Sequence, residues 1–344
     1  MKSKVTAALA IVGGIGLQMG LAPSDAAAAE CEIDRPVIFA GLDWDSNRFH
    51  VAVARHIAEV GYGCDTDEVP GSSLPLLTGM ARGDIDVTME IWKNNYQDAW
   101  DKFEGRGDIA ELGVNFPDSV QGWYVPTYLI EGDPDRGIEP KAPDLEHVKD
   151  LAKYKELFKD PEQPSKGRFY NCILGWGCEI INTKKLEVYD LGDDFTNFRP
   201  GTGAALSAAI ASNYERGKAI VAYYWGPTWI LGKYDLTLLD EPDYSDECWS
   251  ELQNEEHPGV ACAYPTVAVT VAVNTEFQAQ APKLVEFLSN YRTSNQLVSE
   301  ALAYMQDNEA STQEAAMHFL RTRKEVWSKW VPDEVAQRIE ASLS

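Results

Sequence analysis

From Val37 onward the chain alternates two hydrophobic patterns. The continuous run Val37-Ile38-Phe39-Ala40-Gly41-Leu42 predicts a short buried strand. After Ser46 and Asn47, both good helix N-caps, Phe49, Ala52, Val53, Ile57 and Val60 recur at helical spacing until Gly61 stops the run. Residues 64–69 predict a second strand, 72–81 a second helix, and 83–92 a third strand that ends on Ile91-Trp92. Strands alternating with helices imply a mainly parallel sheet, whose ligands bind at the carboxyl ends of strands. Trp44 and Trp92 both stand at such ends.

Further along, 123–130 predicts a strand, and Gly132-Asp133-Pro134 opens a polar, proline-bearing passage to Pro143, which we read as a first crossing into a second lobe. Asp144 predicts the cap of a helix reaching Phe158, 167–170 a strand, and 202–216 an alanine-rich helix. Residues 218–225 predict a strand ending on Trp225, after which Gly226-Pro227 turns the chain. The acidic piece 240–256 predicts surface, 267–273 a return strand, and 277–344 a series of helices. The expected fold class is α/β, with two lobes joined by two hinge crossings and each lobe a central mixed sheet flanked by helices. Lobe I is expected over 30–131 and 265–344, and lobe II over 132–264.

The first 29 residues set an address. Lys2 and Lys4 precede the apolar run from Val5 to Leu21, and Ala26-Ala27-Ala28-Ala29 offers small residues for cleavage, the pattern of a secretory leader. The mature chain is expected to begin near Glu30; no lipobox precedes Cys31, so a soluble periplasmic protein is expected rather than a lipoprotein. No other stretch reaches the about 18 consecutive apolar residues of a membrane span. Net charge is −24, and the leader carries Lys2, Lys4 and Asp25, or +1, leaving −25 on the mature part. Such a surface excludes nucleic acid as a partner and either attracts cations or reflects adaptation to salt. All six cysteines follow the leader, an even count that suits disulfides in an oxidising compartment. Local pairing would give Cys31–Cys64, Cys172–Cys178 and Cys248–Cys262, of which only the middle pair rests on spacing.

No catalytic constellation emerges. The five histidines, at 50, 56, 147, 257 and 318, are scattered without a nucleophile beside them, and no metal or cofactor motif is present. His50 and His56 lie six apart on one expected helix and read as solvated or capping residues. What stands out is tryptophan after strands: Trp44, Trp92, Trp176 and Trp225. Any one of them is accounted for as core; four in equivalent positions point to a cage for a methylated ammonium group, held by cation–π attraction of roughly 0.5 to 2 kcal/mol per face. Trp176 lies in Cys172-Ile173-Leu174-Gly175-Trp176-Gly177-Cys178, a tight loop that its own disulfide would close. The alternative for Trp176 is core filler beneath a structural disulfide. Gly177 and Cys178 lead into an expected helix over 179–186, and N–H groups at a helix start favour an anion.

The cysteine loop, the Ile91-Trp92 strand end and Tyr223-Tyr224-Trp225-Gly226-Pro227-Thr228-Trp229 together resemble the glycine betaine/proline betaine-binding periplasmic proteins of ABC importers, over nearly the whole mature chain. The resemblance implies a type II-like periplasmic binding protein that closes on its ligand and presents it to an ABC permease, without catalysis and as a monomer. It implies Trp92, Trp176 and Trp225 as the aromatic box, with the backbone amides of Gly177 and Cys178 on a carboxylate. Trp44 matches a box position of some relatives, and Asp45 an acidic residue of choline-binding members. Tyr96 stands where some betaine binders have a histidine, and its hydroxyl can donate the same bond. Glycine betaine is the expected ligand; choline, carnitine, a sulfonium betaine and trimethylamine N-oxide are alternatives. A carbohydrate binder would also use tryptophan platforms, but would need hydroxyl-directed side chains that this loop does not offer.

Overall fold

The strands that carry the tryptophans belong to two separate sheets. The computed structural model describes residues 30–343, so the leader expected over 1–29 lies outside the described residues. Strands β1 (Val37–Leu42), β2 (Thr66–Gly71), β3 (Val87–Ile91) and β4 (Ile109–Ser119) come first; β5 (Gln121–Pro126), β6 (Gly167–Tyr170), β7 (Phe195–Phe198), β8 (Val221–Trp225) and β9 (Leu236–Leu238) follow, and then β10 (Val267–Asn274). One sheet has the order β2-β1-β3-β10-β4 and the other β7-β6-β8-β5-β9. In each, parallel pairs built by strand-helix-strand units are extended by antiparallel strands. Both sheets are therefore mixed.

Burial follows position in the sheet. β3 lies between β1 and β10 and all five of its residues are buried, whereas β2, an edge strand, is polar and tolerates Pro70. Helix α1 (Asp45–His56) turns Phe49, Val53 and Ala54 inward and packs against a helix at Thr312–Thr322, so the C-terminal part of the chain covers the first sheet. No helix among the described residues is long and apolar enough to cross a membrane.

The order of elements departs from the sequence reading in three places. The strand expected over 123–130 forms as β5 at Gln121–Pro126 and pairs with β8 and β9, so the chain leaves the first sheet at Val120 and not at 132. A single residue separates β4 from β5, and nothing in composition marks an extended chain that changes sheets without turning. Residues 97–105 and 109–119, left without elements by the pattern, form a helix and the long strand β4. The alternation of β4 is broken by Gly113 and Pro117, and its pairing with β10 shifts register repeatedly, which hides the period of two. The helix expected to be capped by Asp144 starts instead at Val148, where the Asp150 carboxylate accepts the His147 N–H at 3.0 Å.

All three local cysteine pairs are bonded: Cys31–Cys64, Cys172–Cys178 and Cys248–Cys262. Trp123 is fully buried, and its indole donates to Asn182 Oδ1 at 2.8 Å; Tyr128 donates to the Lys218 carbonyl at 2.6 Å. Both brace the second sheet against neighbouring elements.

Candidate functional site

Four chain turns bring one tryptophan each to the space between the sheets. Trp44 follows β1 and stands at the N-cap of α1; Trp92 follows β3; Trp176 stands at the N-cap of the helix at Gly177–Val188; Trp225 ends β8. They line one cavity together with Ser73, Asn95, Tyr96, Gly177, Cys178 and Tyr223. The rings of Trp44 and Trp176 lie 5.1 Å apart at 81°, those of Trp176 and Trp225 5.2 Å apart at 83°, and those of Trp44 and Trp225 6.5 Å apart at 77°. Rings packed edge to face stand as walls at right angles rather than as a stack.

Carboxylates fix three of these rings by their indole N–H groups. Trp44 Nε1 donates to Glu90 Oε2 at 2.7 Å, Trp92 Nε1 to the same oxygen at 3.1 Å, and Trp176 Nε1 to Asp43 Oδ1 at 2.7 Å. Tyr96 accepts the Trp92 backbone N–H at 3.0 Å, which leaves its own proton to give; burial holds the phenol well above its ordinary range, so it stays a donor. Gly177 and Cys178 open a twelve-residue helix, where N–H groups have no acceptor within the helix. The site therefore combines aromatic faces with donors for a negative group.

The two lobes touch around this cavity. A Cβ on Gly177 would stand 2.2 Å from the Asn95 carbonyl oxygen, and one on Gly203 2.7 Å from that of Asp43. The Leu74 N–H donates to the Gly175 carbonyl at 3.2 Å, and Trp249 Nε1 to the Asn94 carbonyl at 3.0 Å. Glycine at 177 is what allows backbone to meet backbone across the cleft.

Seven of the eight candidate residues line this cavity: Trp44, Trp92, Tyr96, Trp176, Gly177, Cys178 and Trp225. Asp45 does not. It lines a second cavity with Tyr224, Thr228 and Trp229 that shares Trp44 and Trp225 with the first, and burial raises its pKa against the opposing pull of Arg48. His50 is also not the solvated or capping residue its position suggested. It is completely buried, with Nδ1 2.8 Å from the Tyr291 hydroxyl and Nε2 3.9 Å from Glu90 Oε1. Burial lowers its pKa to about 3, so the ring is neutral. Glu90, Asp43, Ser73, Asn95 and Tyr223 escaped the sequence reading. The available sign was Glu90 itself, a charged side chain inside a strand with no exposed residue. Among the described residues no group of three or more His, Cys, Asp or Glu is placed to hold a metal ion.

Comparison with known proteins identifies the family. Residues 35–322 match the family model described as the substrate-binding domain of ABC-type glycine betaine transport systems. The chain is 22% identical to a trimethylamine N-oxide-binding protein of Pelagibacter ubique (strain HTCC1062), over 86% of this chain and 90% of that one. It is 24% identical to the glycine betaine-binding periplasmic protein OusX of Dickeya dadantii (strain 3937), over 77% and 78%. In fold it is similar to lactococcal OpuAC, solved closed with glycine betaine, at a TM-score of 0.67 and 18% identity over 87% of this chain and all of that one. The chain belongs to the family of substrate-binding domains of ABC-type glycine betaine transport systems.

Proposed function

We propose that the protein is a periplasmic, non-catalytic binding protein that encloses glycine betaine or a closely related methylated ammonium zwitterion and delivers it to an ABC permease. The observation that carries this reading is the single cavity lined by Trp44, Trp92, Trp176 and Trp225 and by the helix start at Gly177 and Cys178. A trimethylammonium group donates no hydrogen bond, so it is recognised by aromatic faces, and four faces contribute about 2 to 8 kcal/mol in all. A micromolar ligand needs about 8.2 kcal/mol. The amides at the helix start and the Tyr96 hydroxyl supply the balance by binding a carboxylate. The position of Asp45 outside this cavity favours a zwitterion over choline. Trimethylamine N-oxide is the second reading, supported by the free Tyr96 proton, which suits an N-oxide oxygen, and by the Pelagibacter relative.

Calorimetric titration of the mature protein with glycine betaine, choline, carnitine, trimethylamine N-oxide and maltose, repeated on Trp176→Ala, tests the reading. Glycine betaine should bind most tightly, and the variant should lose at least 100-fold in affinity. Absence of binding by every methylated compound, or wild-type binding by the variant, would refute it.

A further inference from the structure

Behind the cavity wall lies a buried group that the box as described does not use. Glu90 is completely inaccessible to solvent, in a strand covered on both faces. Ionised carboxylates in such places ordinarily require a cation or several donors. Among the described residues the one basic group within 4.0 Å is His50, and that ring is neutral. The other groups around Glu90 are uncharged: Ser46 from α1, the Tyr291 phenol beyond His50, and the Tyr96 phenol. Besides the Ser46 hydroxyl, whose proximity favours the ionised form, its partners are the indole N–H groups of two box walls, Trp44 and Trp92, both donating to Oε2.

The other oxygen is an orphan. Glu90 Oε1 and His50 Nε2 face each other at 3.9 Å, and both are buried without a hydrogen-bond partner. A neutral imidazole serves either state of the acid. With the carboxylate ionised, Nε2 carries the proton toward Oε1 and Nδ1 accepts from Tyr291. With the acid protonated, its O–H points to Nε2 and Nδ1–H donates to Tyr291. Across a gap of 3.9 Å, longer than a hydrogen bond, the His50 dipole can thus turn to suit the acid in either charge state while Oε2 keeps its hydrogen bonds to the tryptophans.

We propose that Glu90 is a positioning and charge-tuning residue of the box, whose ionised form makes the cavity select a full positive charge over a neutral group of the same shape, and that cation binding expels its proton. The physical reason is mutual. An indole that donates its N–H to an anion carries more electron density on its face, which strengthens cation–π attraction, and the cation in turn supplies the counter-charge that the buried carboxylate lacks. Two events that stabilise each other are linked, so the ligand lowers the affinity of Glu90 for its proton. Burial pushes the carboxyl up to about 7, which places the exchange near neutral pH. The sign follows: affinity for a methylammonium cation rises with pH up to about 7 and levels off above it, by at most about tenfold per pH unit for one proton.

This inference rests on the methylammonium reading of the box, and the experiment separates the two. Glycine betaine and its carbon isostere 3,3-dimethylbutanoate are titrated calorimetrically into wild type and Glu90→Gln from pH 5.5 to 8.5, in two buffers of different ionisation enthalpy so that released protons are counted. Wild type should release protons on binding glycine betaine below pH 7.5 and none on binding the isostere. Glu90→Gln, which keeps an oxygen for the indole N–H groups, should lose at least tenfold for glycine betaine at pH 8, keep the isostere within about threefold, and show a flat pH profile. Equal losses for both ligands would reduce Glu90 to packing and overturn the proposal, as would an unchanged variant. The proton count needs only wild type, so a misfolded variant leaves the proposal open to refutation by zero proton release. If wild type binds no methylated compound at any pH, the functional reading itself falls and this inference with it.

Discussion

Replacing Gly177 by alanine tests whether ligand is held by both lobes at once. The added Cβ would meet the Asn95 carbonyl oxygen at 2.2 Å, where ordinary contact begins at 3.4 Å, and the obstacle is backbone rather than a side chain that can swing away. Residue 177 and Asn95 lie on opposite sides of the cleft, so separating the lobes by about 1 Å there is easier than remaking either. That opening stretches the hydrogen bond from Trp176 to Asp43, now 2.7 Å, and the one from Leu74 to Gly175, now 3.2 Å, past useful length. Each contributes about 1 kcal/mol net, and withdrawing one aromatic face costs roughly 0.5 to 2 kcal/mol more. The expected loss is about 2 to 4 kcal/mol, or roughly 30- to 1,000-fold in Kd for glycine betaine by calorimetry. The unliganded protein can stay open, and alanine is the better helix former, so its melting temperature should not fall. Gly192→Ala, with nothing within 4 Å of its Cβ, is the control in the same lobe. Wild-type affinity in Gly177→Ala would refute the reasoning, and so would a large fall in the melting temperature of the unliganded variant, which would place the glycine in folding rather than closure.

Two further outcomes concern stability. Between about pH 4.5 and 6.5 the His50 and Glu90 pair should contribute no pH dependence in wild type, because the native pair holds one proton on Glu90, raised from 4.5 to about 7, while the unfolded chain holds one on the histidine at its ordinary 6.5. In Glu90→Gln only the buried, neutral His50 remains, so the unfolded state alone gains a proton below 6.5; urea titrations of the unliganded variant should show stability falling, relative to wild type, by roughly 2 kcal/mol as pH drops from 6.5 to 4.5. Parallel curves would contradict this. Removing the Cys172–Cys178 bond by a double alanine substitution should cost about 2 kcal/mol in urea unfolding, as expected for so short a loop, and a loss below about 0.5 kcal/mol would show that the loop is held by its contacts instead.

The tryptophans were legible because their evidence is local: each follows a strand, and the one at 176 sits in a loop whose cysteines and glycines declare its shape. What holds them was not, because it comes from elsewhere in the chain. In Val87-Thr88-Met89-Glu90-Ile91 the glutamate reads as one polar step of an alternating strand, and His50 reads as one polar step of an amphipathic helix. Both local readings assign polarity to solvent. The error surfaces only when β10 pairs along the free side of the strand and α1 packs against it, bringing both groups inward toward each other, a fact that depends on a return strand some 180 residues later. Asp45 shows the converse: one residue after a box tryptophan, on the first turn of a helix, it points into a different cavity, so adjacency in sequence carried no information about the site. A buried aromatic ring always has packing as a sufficient explanation. A buried carboxylate has none until a partner of its own is found, and here two of the partners beside Ser46 and His50 are indoles of the box. The acid in the central strand therefore supports the proposed cation site by an argument that is independent of the tryptophans themselves.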